Sequence, residues 1–108
     1  MPDGVDVFLF TLTNSHGLEV SIINYGGAIT SLKVPDRNGE FGDIVLGYET
    51  LDDYVRSPRY LGALIGRHAN RIAEGKFSLN GVNYQLEQNN GANHLHGGFN
   101  GFECGRAY

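Results

Sequence analysis

Apolar residues recur at every second position through the first third of the chain, and that period constrains the fold more than any other feature. Phe8, Phe10 and Leu12 alternate with Val7, Leu9 and Thr11. Leu18, Val20 and Ile22 alternate with Glu19 and Ser21, and Ala28, Thr30, Leu32 and Val34 alternate with Ile29, Ser31 and Lys33. Successive side chains of an extended chain point to opposite faces, so this pattern predicts three partly buried strands. Asn14-Ser15-His16-Gly17 and Gly26-Gly27 supply the first two turns, and Pro35-Asp36-Arg37-Asn38-Gly39 a third. Asn-Gly tolerates the positive φ that a tight turn needs.

The rest of the chain continues in the same manner. Asp43 to Tyr48 is a further short strand candidate. Thr50-Leu51-Asp52-Asp53 reads as a helix start, with Thr50 capping a backbone N–H and Asp53 answering it. Pro58 limits that helix to one or two turns. The apolar run Tyr60 to Ile65 reads as a buried strand, given the glycines around it. Phe77 and Leu79 face Val82, Tyr84 and Leu86 across Asn80-Gly81, a strong hairpin signal. A polar Gly/Asn-rich stretch, Gln88 to Gly101, follows. Sixteen glycines in 108 residues fit many turns and little helix. The reading is all-β, with antiparallel strands and one short helix in a single domain.

Charge and cysteine usage narrow the function classes. A formal charge of -4 with scattered basic residues offers no footprint for nucleic acid. The single cysteine, Cys104, cannot form an internal disulfide. No apolar run reaches the ~18 residues of a membrane span. The N-terminus is acidic where a signal peptide is basic, so a cytoplasmic location is the expectation.

Two segments could carry chemistry. In Gly66-Arg67-His68-Ala69-Asn70-Arg71-Ile72, guanidinium and amide groups lie close together at the end of the expected apolar strand. Such groups fork hydrogen bonds to vicinal hydroxyls or a carboxylate. They equally serve to pair with surface carboxylates or to cap carbonyls. In Asn93-His94-Leu95-His96-Gly97-Gly98, an extended chain would put His94 and His96 on one face, as a transition-metal site needs. Further ligands are not evident, and a histidine satisfied within a loop is the simpler alternative. The glycines after His96 allow close approach of backbone or ligand. No dinucleotide or phosphate loop and no nucleophile elbow is present, and Cys104 reads as an inert thiol.

Together these segments resemble the aldose 1-epimerase (galactose mutarotase) family. The matching stretches are Asn24-Tyr25-Gly26-Gly27, Asp43-Ile44-Val45-Leu46-Gly47-Tyr48, Gly66 to Ala73 and Asn93 to Gly98. The resemblance runs from about Phe10 to Phe102. It implies a large β-sandwich (supersandwich) that cradles a free aldohexose, such as galactose or glucose, with no cofactor and no metal. It implies that Asn70 and Arg71 bind the sugar, and that His96 is a catalytic and sugar-binding histidine beside the ring. The family's second histidine, its glutamate base and a sugar-binding aspartate lie further along than Tyr108. The expectation is therefore that residues 1–108 are an incomplete N-terminal portion of the domain. Such a portion would be inactive alone and would self-associate through unpaired strand edges. Glu103 to Tyr108 departs from the family pattern. A non-catalytic carbohydrate-binding module is the alternative reading. The expected partner is a small sugar, with neither nucleic acid nor membrane.

Overall fold

Strands β1 (Leu9–Thr13), β2 (Glu19–Ile23), β3 (Ile29–Pro35) and β4 (Phe41–Asp43) form one antiparallel sheet in chain order. This is a computed structural model, and it describes residue 4, residues 6–57 and residues 59–104. The acidic start at 1–3, Pro58 as a helix stop and the departing tail at 105–108 lie outside the described residues. The three alternating segments thus become β1, β2 and β3. The first turn closes because Asn14 Oδ1 accepts the backbone N–H groups of His16 and Leu18 at 2.9 and 3.0 Å. Glu19 stands opposite Lys33, and their side chains pair at 2.9 Å across the two strands.

Two expected strands are absent, each for a local reason. The segment 43–48 does not form a strand. Instead β4 ends at Asp43, whose Oδ1 accepts the N–H groups of Leu32 and Val45 at 3.0 and 3.1 Å. A side chain that takes ladder donors ends the ladder. The run 60–65 is not a buried strand either. Ala63 N–H closes a turn onto Tyr60 O at 3.2 Å, and Gly62 sits at φ +65°. Ile29 N–H donates to Gly62 O at 3.0 Å, and a Cβ on Gly62 would overlap the Ile29 carbonyl oxygen. Half of this run faces outward; Leu64 is 55% exposed.

The helix α1 (Leu51–Arg56) forms as expected, with Asp53 N–H donating to Thr50 Oγ1 at 3.2 Å. The reciprocal bond differs from the capping box, because the Thr50 hydroxyl donates to Asp53 Oδ2 at 2.6 Å. The hairpin β6 (Lys76–Leu79) and β7 (Val82–Gln85) pairs Phe77 with Tyr84 and Leu79 with Val82. Asn80 and Gly81 have φ of +50° and +76°, the signs of a type I′ turn. A third, short pair joins β5 (Arg71–Ile72) to β8 (His94–Leu95).

The buried apolar residues, Ile23, Ala28 and Leu95, are few. Leu9, Phe10, Leu12 and Leu79 are each more than half exposed. The accessible surface is 7769 Å², against the ~5,900 Å² that mass scaling gives a compact monomer of 11.8 kDa. The radius of gyration is 17.3 Å, where about 13 Å is usual for this length. The sheets therefore present apolar faces that nothing in the described chain covers.

Candidate functional site

The two chemistry-bearing segments are joined by the β5–β8 pair, in which Arg71 stands opposite Leu95 and Ile72 opposite His94. Asn70 precedes β5 and His96 follows β8, so the pairing brings these two residues together. They bond reciprocally, once through both backbones and once from the Asn70 backbone to the His96 ring. His96 N–H donates to Asn70 O at 3.0 Å, and Asn70 N–H donates to His96 Nδ1 at 3.0 Å. Both residues are left-handed, with φ of +63° at Asn70 and +54° at His96. Asparagine tolerates that region, whereas a histidine there costs on the order of 1 kcal/mol.

The Asn70 contact fixes the chemistry of the imidazole. With Nδ1 accepting a backbone N–H, the neutral ring carries its proton on Nε2. In that tautomer Nε2 is the ring's N–H donor. Tyr60 packs against its ring edge to face, with centroids 4.7 Å apart at 68°. Arg71 is exposed but tied. Its Nε–H donates to Asn90 Oδ1 at 2.9 Å, and Nη1 donates to Asn70 Oδ1 at 3.3 Å. A guanidinium has five N–H groups, so three remain for a ligand. Asn70, Arg71 and His96 therefore form one cluster that presents chiefly hydrogen-bond donors.

Tyr60 also lines a cavity of about 260 Å³ with Tyr25, Tyr54, Phe99, Glu103 and Cys104. Burial, then the nearby Glu103 carboxylate and Cys104, pushes the Tyr60 phenol above its ordinary range, so it is a hydroxyl donor at neutral pH. Burial and Glu103 likewise push the Cys104 thiol up, which disfavours a reactive thiolate.

The other expected groupings separate. The seven residues 66–72 do not sit at the end of an apolar strand, because 60–65 is a turn. Arg67 lies over the Phe102 ring at 5.4 Å. It lines a separate cavity of about 580 Å³ with His68, His94 and Phe77. His94 and His96 do not share a face. His94 is buried, with Nδ1 2.9 Å from Glu87 O, while β8 ends at Leu95 and the positive φ of His96 turns its ring toward Asn70. Among the described residues, no group of three or more His, Cys, Asp or Glu is placed to hold a metal ion. The glycine after His96 admits backbone: a Cβ on Gly97 would overlap the Gly66 carbonyl oxygen.

Sequence reasoning missed Asn89, Asn90 and Tyr60. Asn89 imitates a strand backbone: Leu95 N–H donates to its Oδ1 at 2.7 Å, and its Nδ2 donates to Leu95 O at 2.9 Å. The only signal for either asparagine is the Gly/Asn-rich composition of residues 88–101, which does not say which amide meets which partner. Tyr60 is hidden inside a run whose pattern predicts a strand.

Comparison with known proteins is consistent along nearly the whole chain. The family profile described as Aldose 1-epimerase matches residues 9–106. Galactose mutarotase from Bos taurus is 51% identical over 89 residues, covering 82% of this chain and 26% of the bovine protein. Galactose mutarotase from Sus scrofa is 46% identical over 103 residues, covering 95% of this chain and 30% of the porcine one. A solved GalM/aldose epimerase homologue from C. elegans superposes with a TM-score of 0.85 at 33% identity, over 94% of this chain and 31% of that one. The chain thus spans under a third of the length of these relatives. The superposed residues of this chain are the antiparallel strands and short helix described above. Among the described residues, no helix is long and apolar enough to cross a membrane.

Proposed function

Because the chain belongs to the aldose 1-epimerase family, we propose that it carries the donor half of a site where a free aldohexose such as galactose or glucose changes anomer. The observation that carries this reading is the Asn70–His96 clasp beside a tied Arg71. A sugar is a ring of hydroxyl oxygens, and oxygens need donors. Arg71 holds two neighbouring hydroxyls on its planar fork. Asn70 adds the donors of its amide. His96 directs Nε2–H at an oxygen of the ring.

Anomer exchange needs a base to take the anomeric hydroxyl proton while an acid protonates the ring oxygen. The hemiacetal then opens to the aldehyde. Rotation about the bond to the anomeric carbon, followed by reclosure, gives the other anomer. The step moves two protons and breaks, then re-forms, the bond from the anomeric carbon to the ring oxygen, with no net oxidation or reduction, so the reading calls on no redox group. His96 stabilises charge developing at the ring oxygen, an effect that is strongest in the transition state. The strong acid and base of the reaction, a second histidine and a glutamate by family resemblance, match no position in this chain. The chain alone therefore binds sugar without turning it over.

Proton NMR of freshly dissolved α-galactose with the purified chain tests both halves of this reading. Saturation of the protein should transfer to the sugar, while the anomers equilibrate at the rate seen in buffer. A stand-alone carbohydrate-binding module would behave alike at this stage. The two readings part when the chain is joined to the remaining two thirds of a mutarotase domain: a half-site gains turnover and a binding module stays inert. The uncovered strands β1 and β6–β7 make a second copy of the chain a further partner. A reducing, cytoplasmic location is compatible with the single thiol.

A further inference from the structure

Arg71 is exposed on a two-residue strand, where an untied arginine would sample many rotamers. Asn90 removes that freedom, accepting Nε–H at 2.9 Å. Asn90 is itself held at both ends of a tight turn. Its N–H donates to Asn93 O and its carbonyl accepts from Asn93 N–H, both at 3.0 Å. The preceding residue, Asn89, is locked to Leu95 by two hydrogen bonds, and Leu95 is the register partner of Arg71. The carboxamide of Asn90 is therefore anchored to the same strand pair that carries the arginine.

We propose that Asn90 is a positioning residue for the sugar site, fixing the guanidinium of Arg71 so that its three unused N–H groups face the ligand hydroxyls. The proposal rests on the sugar-binding reading above. The physical gain is preorganisation, because the rotamer entropy of a long side chain is lost on folding rather than on binding.

The test uses the whole 108-residue chain, with galactose as the probe and saturation-transfer NMR as the readout. Asn90→Ala should weaken galactose binding about three- to tenfold, the scale of one immobilised side chain. Asn90→Asp keeps an acceptor in place and should bind within about twofold of the parent, because a carboxylate holds a guanidinium at least as firmly. A second measurement follows the Arg71 Nε–H nitrogen resonance, assigned by Arg71→Lys, in the same three proteins. That N–H should exchange quickly with water in Asn90→Ala and slowly in the parent and in Asn90→Asp. Equal galactose affinity for Asn90→Ala and the parent overturns the proposal. So does a loss of binding that Asn90→Asp fails to rescue while the Arg71 resonance is unmoved. If the parent chain shows no saturation transfer, the sugar reading falls. The Nε–H exchange then decides the positioning role of Asn90 by itself: faster in Asn90→Ala supports it, and unchanged overturns it.

Discussion

At the scale of single residues, the candidate site rests on two left-handed residues, Asn70 and His96, joined by a backbone–backbone bond and a backbone–imidazole bond. Strained conformations persist only where neighbours enforce them, and here each residue is the other's neighbour. The separate roles proposed for Arg71 and His96 set a prediction for the chain joined to the rest of a mutarotase domain. Arg71→Lys keeps the charge but loses the fork, so it should raise KM roughly tenfold with little change in kcat. His96→Ala should lower kcat at least about tenfold, since a donor to developing charge acts mainly in the transition state. Steady-state kinetics separates the two. A kcat within about twofold for His96→Ala, below the usual cost of losing such a donor, would make His96 a structural histidine. Asn70, Arg71 and His96 are legible as candidates because two short motifs carry them, and the β5–β8 pair brings those motifs together. Asn90 is not, because an asparagine among asparagines has no sequence mark of the partner it meets across a fold.

At the scale of elements, the strands are readable wherever alternation meets turn chemistry. Asn80-Gly81 demands positive φ at both positions, and the β6–β7 hairpin has it. Two segments depart from their pattern where a single group outweighs it: the Asp43 carboxylate stops β4, and Gly62 bends the run 60–65 against Ile29. Asp43 makes the first of these testable by pH. Hydrogen bonds from Leu32 N–H, then from other donors including Val45 N–H, lower its folded pKa below the usual aspartate value of about 4. The stabilising contribution is therefore complete above that unfolded value and lost as pH falls through the lower folded value. Amide exchange, corrected for intrinsic rates, should show Leu32 and Val45 protected near neutral pH and deprotected in acid. Asp43→Ala should abolish the difference. Equal protection of the two amides at both extremes in the parent chain would show that Asp43 does not hold the end of the sheet.

At the scale of the whole molecule, alternation foretells strands with two faces but not what lies against them. The accessible surface of 7769 Å² exceeds that of a compact chain by about 1,900 Å², comparable to a full protein interface. In size-exclusion chromatography the isolated chain should elute as associated species, with rapid amide exchange in β1. A monodisperse monomer with many slowly exchanging amides would contradict this. Residue, element and molecule meet in the proposed property: residues 1–108 would hold sugar with donors and show no turnover of their own. Proton NMR of fresh α-galactose with the parent chain and with Arg71→Ala reads both halves of that property in one tube. The expected result is saturation transfer to galactose with the parent chain, its loss in Arg71→Ala, and anomer equilibration at the buffer rate in both. Absence of transfer to galactose from the parent chain, or protein-dependent equilibration that survives repurification, would contradict it.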